Sequence, residues 1–478
     1  MKRKQKIFIT TMLLAMLIFQ SCEKYLDVPY DNRLEIKNDQ DLGALVKDSY
    51  PTKMDMFTDM LTDSYFIYPS LMQSAWRPLY TPMYLFDDEY EANLGYPSPA
   101  TAYTHFYNSI YDANYAIENA SSVEGNGIAK DVVVAEALLV RAYSYFVLTN
   151  LFGKHYNTST YDKDLSVPLV TEVNKENRPV FSRGTVKEAY DLIEADLLKA
   201  ISTYEKHPSY APTNPYQFTI QAAYAFACRF NLYKGDYQKT IDYANKTFTA
   251  TGLVLRNIPK DIELLTKFGW AYFLNQMNDP STHPNLIMTA QSNYIHYPTG
   301  NNWGGFFVSR DLVTKITSSD RRRTYLNNAG TVIDNANYVA KNHTSWGTSR
   351  YIMFGTEEVL LSRAEAYLRL STPNKAAAIT DINLFKSTRY STNAAVPTSA
   401  TDAQVLEEVL LQRQIEFLAE GLRWYDVKRL GLPVEHKLDI NSSKVDARLE
   451  PNDPRTALQI PLNARIGNPI LETQLNPR

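Results

Sequence analysis

The sequence predicts a mostly α-helical protein: a tetratricopeptide-like helical-repeat scaffold, interrupted by long loop-rich insertions and a few short strands. Three observations carry this. Apolar residues recur at the helical period through most of the chain. A helix–turn–helix pattern with a Gly-Asp-Tyr turn resembles the middle of a tetratricopeptide repeat. Two stretches, 64–108 and 254–350, lose that period and fill with Tyr, Trp, Pro, Gly and Asn.

The elements follow in order. Residues 128–151 place Leu138, Ala142, Tyr145 and Thr149 on one face, and Gly153 is a natural stop. Ser182 or Thr185 caps the next helix, from Val186 to Tyr204, which ends before His207-Pro208. Residues 217–250 give a helix, the turn Lys234 to Tyr237, and a second helix through Phe248. Glu358–Leu370 and Lys375–Phe385 form another pair, joined by Ser371-Thr-Pro-Asn, and one more helix follows Thr401. Within the second insertion, residues 285–290 read as a strand.

The N-terminus sets the expected compartment. Met1 to Lys6 is basic, and Ile7 to Phe19 is an apolar run too short to span a bilayer comfortably but suited to a secretory signal. Ser21-Cys22 ends it in the arrangement at which lipoprotein signals are cut and the cysteine acylated. The expected organisation is a signal over 1–21 and a lipidated Cys22 with tether over 22–40. A single body then fills 41–478, with its scaffold at 41–253 and 351–431, an insertion at 254–350 and an irregular C-terminal segment at 432–478. No later stretch reads as a second membrane element. The one other cysteine, Cys228, lies in a helical pattern and reads as core, so no disulfide framework is expected. With 49 basic against 52 acidic residues and no basic block, nucleic acid is not an expected partner. The chain holds 34 Tyr against 20 Phe and 5 Trp, a residue suited to surfaces half apolar and half wet.

The densest signal lies at 413–431. On a helix, Leu411, Ile415, Leu418 and Leu422 form an apolar stripe, and Arg413, Glu416, Glu420 and Arg423 share the opposite side. By periodicity alone this is an amphipathic helix with a solvated charged face, its pairs worth ~0.3–0.5 kcal/mol each. Gly421 and the Trp424-Tyr425-Asp426 after it do not fit that reading. The segment resembles the C-terminal signature of the SusD/RagB family of outer-membrane nutrient-binding lipoproteins, with Arg413, Glu416, Glu420, Arg423 and Asp426 at its fixed positions. Further stretches match in order: residues 22–29, Asn150 to Gly153 with Val167 to Val170, Ser309 to Ile316 with Asp320 to Arg323, and Val359 to Ala366. One departure is the absence, around Phe354-Gly355, of a basic residue often found there in the family.

Catalytic motifs are absent from the sequence: there is no H-E-x-x-H, G-x-S-x-G, phosphate-binding loop or C-x-x-C. The seven histidines are scattered, and neither a metal nor a cofactor is expected. Asp87-Asp88-Glu89 reads as a solvated or Ca²⁺-tolerant loop. What remains is aromatic surface. A sugar offers an apolar ring face to an aromatic side chain and hydroxyls to Asn, Asp or Arg. Trp76, Arg77 and Tyr80, with Tyr84 nearby, lie in the first insertion; Tyr294, Tyr297, Asn302, Trp303 and Trp346 lie in the second. The resemblance places the ligand platform in these two regions. Trp303, beside Gly304-Gly305, is the strongest single candidate, whereas Trp270, Trp424 and Tyr425 read as structural.

The resemblance implies a lipoprotein of the outer membrane, facing the cell surface, that binds oligosaccharide and delivers it to a SusC-like TonB-dependent transporter with no covalent step. Relatives on the RagB side bind peptides, and Tyr with Asn suits a peptide groove as well. A third reading, a secreted hydrolase, requires a carboxylate such as Asp87 or Glu89 to act.

Overall fold

The computed structural model describes residues 36–51, 54–91, 96–173, 180–276, 278–292, 305–328, 338–340, 349–439 and 441–478. The chain divides into two compact units, 1–37 and 38–478, and the described helices and strands all lie in the second. Cys22 and the signal lie outside the described residues.

The first elements are α1 (Asp39–Asp48), a 3-10 turn (Met54–Leu61), β1 (Tyr65–Ile67), α2 (Arg77–Tyr84), α3 (Pro99–Asn119) and α4 (Gly127–Phe152). The first insertion is therefore not all loop, since α3 begins inside it. Its Tyr, Thr and Asn content hides the period, but Ser98 and Thr101 make a capping box that starts the helix. Helix α4 is capped by Asn126 and stops at Gly153, as the spacing predicts. It is long and apolar enough to cross a bilayer, contrary to the sequence reading, but 89% of its apolar window is buried inside the body. It is the core helix on which α3 and α5 pack.

After β2 (Leu165–Pro168) and β3 (Arg183–Thr185), Thr185 rather than Ser182 caps α5 (Val186–Lys206), in a capping box with Glu188. Helices α6 (Ile220–Lys234) and α7 (Tyr237–Thr251) form the expected pair. Gly235 turns between them at φ 80°, and Asp236 caps α7 through the Lys239 amide. The scaffold resumes with α10 (Thr356–Arg369), α11 (Lys375–Ser387) and α12 (Asp402–Glu416), of which α10 packs on α7, α11 and α12.

Between the two scaffold halves lie α8 (Ile258–Gln276), kinked at Gly269, then β4 (Leu286–Ser292), β5 (Phe306–Val308), α9 (Arg310–Lys315), β6 (Leu326–Asn328), β7 (Tyr338–Ala340) and β8 (Ser349–Gly355). The second insertion thus opens with a helix. Strands β4 and β8 pair antiparallel, and the others form a sheet in the order β1-β5-β7-β6.

The signature segment is not one helix. Helix α12 ends at Glu416, the chain reverses through Ala419 (φ 65°) and Gly421 (φ 74°), and α13 (Arg423–Leu430) leaves in a new direction. The apolar stripe still works locally, because Ile415 and Leu418 pack with Tyr65, Val308, Leu312 and Ile316. The four charges do not share a solvated face: Arg413 is fully buried, and it, Glu416 and Arg423 each pair with a residue outside the set. The C-terminal segment holds a hairpin, β9 (Val434–His436) with β10 (Ala447–Leu449), and a short helix, α14 (Leu462–Gly467).

Candidate functional site

The two insertions meet at one seam. Strand β1, from the first, pairs antiparallel with β5, from the second, in the register Tyr65↔Val308, Phe66↔Phe307 and Ile67↔Phe306. The Tyr68 amide extends the ladder by donating to Gly305 O at 2.7 Å. Beneath it Phe66 and Phe307 stack at 5.3 Å, with Tyr68 edge-on to both. Alternation in a strand explains this arrangement, since Tyr65 and Val308 enter the core cluster while Phe66 and Phe307 take the other face.

Of the sequence candidates in the first insertion, Arg77 is exposed and Trp76 and Tyr80 are buried. The amphipathic helix α2 decides this by burying Leu79, Tyr80, Met83 and Tyr84. Tyr80 packs edge-on to Phe306 at 5.5 Å, and burial pushes its phenol pKa up. Trp76 precedes the first turn and meets Tyr96 edge-on at 6.0 Å. Tyr80 thus supports the seam from within, and Trp76 is buried as well rather than standing open to solvent. Arg77 donates to Met72 O at 3.2 Å and Ser70 O at 3.1 Å, bracing the loop that follows β1. Tyr84 lies in the core. The candidates Tyr294, Tyr297, Asn302, Trp303 and Trp346 lie outside the described residues. Sequence reasoning missed half-buried Tyr68 and Tyr96 and exposed Gln73 and Ser74. The signal for Tyr68 was available in the strand alternation of Tyr65 to Tyr68.

A network of buried charges holds the second insertion to the scaffold. Arg389, fully buried, donates to both Glu416 oxygens at 3.1 and 2.5 Å and to Glu357 at 3.1 Å. Glu357 also accepts from the Arg256 amide at 2.6 Å and from Asn285 at 3.0 Å. Arg322, paired with Asp320 at 2.7 Å, reaches Glu416 at 3.1 Å. Burial pushes the Glu416 carboxyl up, but Arg389 and Arg322 together hold it below its ordinary value. Near Phe354, Arg229 comes in from α6. It donates twice to Glu358 at 2.6 Å and lies 4.3 Å over the Phe354 ring.

A second knot joins the signature to α10. Asp426 accepts from Arg429 at 2.8 Å and from Arg413 at 3.3 Å, and Arg429 also donates to the two Glu365 oxygens at 2.6 and 2.7 Å. Arg423 pairs with Asp63 next to β1 at 2.8 Å, which carries the signature to the base of the seam. Trp424 is fully buried, and Tyr425 donates to Asp55 at 2.6 Å. Asp426 is held down at about 2; burial opposes this, and Arg413 and Arg429 dominate. Its folded value is depressed, so its contribution is complete above about pH 4 and fades as pH falls towards 2. Urea unfolding will show a loss of stability across that window that is smaller in Asp426→Asn than in the wild type by on the order of 2 kcal/mol.

A cleft of about 1010 Å³ opens on the other side of α2, lined by Pro78, Pro82, Phe86, Tyr90, Pro461 and Leu462. Asp87, Asp88 and Glu89 stand exposed on its rim, and Asp88 pairs with Arg478. Among the described residues no three His, Cys, Asp or Glu side chains converge as metal ligands.

Comparison with known proteins gives one answer. A family model described as starch-binding associating with outer membrane matches residues 24–232, and one described as the SusD family matches residues 266–466. SusD-like protein P38 of Formosa agariphila is 25% identical, covering 94% of this chain and 96% of its own. A SusD superfamily protein from Bacteroides thetaiotaomicron superposes with a TM-score of 0.71 at 19% identity, over 92% of this chain and 100% of that one. Surface glycan-binding protein A from Bacteroides uniformis superposes at 0.67 and 15% identity, over 90% of this chain and 97% of that one.

Proposed function

Because this chain belongs to the SusD/RagB-like family, whose members are binding proteins associated with the outer membrane, we propose that it binds oligosaccharide at the β1–β5 seam and delivers it to a SusC-like TonB-dependent transporter. The observation that carries this reading is the seam itself. It brings Tyr68 from the first insertion to the strand that follows Trp303 in the second, and Arg77 braces the loop that leaves it. An arginine and polar loop residues beside aromatic rings are the groups a sugar requires. In this reading Cys22 carries the lipid that anchors the body at the cell surface, and Tyr294, Tyr297, Asn302, Trp303 and Trp346 complete the platform. Binding and release are the whole mechanism. A shallow platform leaves much of the ligand in water, so affinity for a single oligosaccharide is modest.

The test is calorimetric titration of residues 23–478 against plant, host and microbial oligosaccharides. One glycan class will give heat, and Arg77→Ala or Trp303→Ala will weaken it ~10–100-fold, or ~1.4–2.8 kcal/mol, with unchanged melting temperature. Heat from a peptide mixture with silence from every glycan moves the ligand to peptides. Turnover that disappears in Asp87→Asn or Glu89→Gln reassigns the protein as a hydrolase.

A further inference from the structure

The most exposed large apolar side chain among the described residues is Ile466, at 72%, and Leu462, one helical turn before it on α14, is 58% exposed. Both line the cleft on the far side of α2, together with Pro78, Pro82, Phe86 and Pro461. Helix α14 is not free to roll these side chains inward. Asn463 donates to Thr104 Oγ1 at 3.4 Å, and Asn468 exchanges two bonds with the Phe181 main chain at 2.6 and 3.4 Å. Leu471, just beyond, is the apolar residue that goes inside. Adjacent aliphatic side chains held out in water beside a charged rim mark a contact surface.

The charge at this cleft is one-sided once its ion pairs are closed. Arg455 pairs with Asp453, Arg465 with Glu472 and Arg478 with Asp88, so each arginine of the lining and the C-terminal one beside it is matched within the chain. The rim loop folds back on α2, the Asp87 amide donating to Pro82 O at 2.9 Å and the Glu91 amide to Pro78 O at 3.1 Å. That keeps Asp87, Glu89 and Glu91 at the edge, all three exposed. Among the described residues none of the three has a cationic partner within ion-pair distance.

We propose that the cleft receives an amphipathic helix of a partner protein, its apolar stripe on Leu462, Ile466 and the prolines, its flanking Lys or Arg against Asp87, Glu89 and Glu91. The inference does not rest on the seam. Rim carboxylates only accept hydrogen bonds, so their complement is an ammonium or guanidinium group. Pro78, Pro82 and Pro461 carry no N–H, so this lining cannot extend a partner's strand at those positions. The occupant it suits is one whose backbone is already bonded within itself and which is recognised by side chains, a helix laid in a groove. The volume, about 1010 Å³, stands at the top of the ~300–1,000 Å³ range of small-ligand pockets and leaves room for a row of side chains. A two-fold pairing of this face with a second copy would bring the same carboxylates of both chains into one interface, which their repulsion disfavours.

Titration of the protein with model helices tests this. The probe is a peptide of repeated Leu-Lys-Lys-Leu-Leu-Lys-Lys heptads, compared with one carrying Glu for every Lys and one carrying Ser for every Leu. The Leu/Lys helix will bind, ~10-fold or more tightly than either control, and its affinity will fall as salt rises from about 0.05 M to about 0.5 M. Leu462→Ser combined with Ile466→Ser will weaken it ~10–100-fold. Asp87→Asn, Glu89→Gln and Glu91→Gln together will remove most of the salt response. All these side chains are exposed, so urea unfolding of the variants will match the wild type. Silence from the Leu/Lys helix, equal binding of either control, or binding that neither set of substitutions alters overturns the proposal. Sedimentation showing a dimer that the Leu462 and Ile466 substitutions break overturns it too, and hands the face to a second copy.

Discussion

Replacing Arg389 by methionine will destabilise the protein by ~3–5 kcal/mol. The guanidinium is fully buried and makes bonds to Glu416 and Glu357 at the same time. Methionine fills much of the volume but leaves two buried carboxylates short of a cation. Arg322 still reaches Glu416, so the loss falls short of a fully orphaned charge. Surface pairs in the same protein give the contrast: Lys187→Met breaks an exposed, solvent-screened bond to Asp191 and will leave the stability nearly unchanged. Urea unfolding of the two variants side by side reads the difference. Equal stabilities would show that the network is not what rivets the insertion to the scaffold.

Gly305→Ala will open the seam. Gly305 has φ 66°, and an added Cβ would sit 2.5 Å from Tyr68 O and 3.1 Å from the Met72 amide nitrogen. The left-handed backbone alone costs an alanine ~1–2 kcal/mol. The two obstructing atoms are main chain and cannot swing aside, so the strands must part. Gly252→Ala is the control, because Gly252 is equally left-handed at φ 77° with nothing within 4 Å of the added carbon. The expected result is faster exchange at 65–68 and 306–308 and a glycan Kd raised ~10–100-fold in Gly305→Ala, with Gly252→Ala showing only the backbone cost. Equal effects in the two variants would remove the seam from any part in binding.

Helix caps were legible in the chain because they are local chemistry. Thr185 with Glu188, Thr401 with Gln404 and the Gly235-Asp236 turn each act within a few residues. The signature segment was legible as a pattern but misleading as a helix. Arg413 and Glu416 have the spacing of a helical pair, yet Ala419 and Gly421 turn the chain, and their partners are Asp426 and Arg389. Trp76 and Tyr80 look like platform residues because loop aromatics and core aromatics have the same composition; only the packing of α2 separates them.

By itself, then, the sequence determined the helical scaffold, several of its turns and the signature pattern, because each rests on interactions spanning a few residues or on a pattern of residue types; it left Ser182 and Thr185 as alternative caps and hid the helix that Ser98 starts. The tertiary structure alone decided which aromatics are buried, that β1 and β5 join the insertions, and which acid each arginine meets. Those outcomes depend on atoms separated by up to 390 residues, as between Arg478 and Asp88. No spacing along the chain encodes such a distance; it is set by how the apolar faces exclude water and by the need to pair every charge taken inside with them.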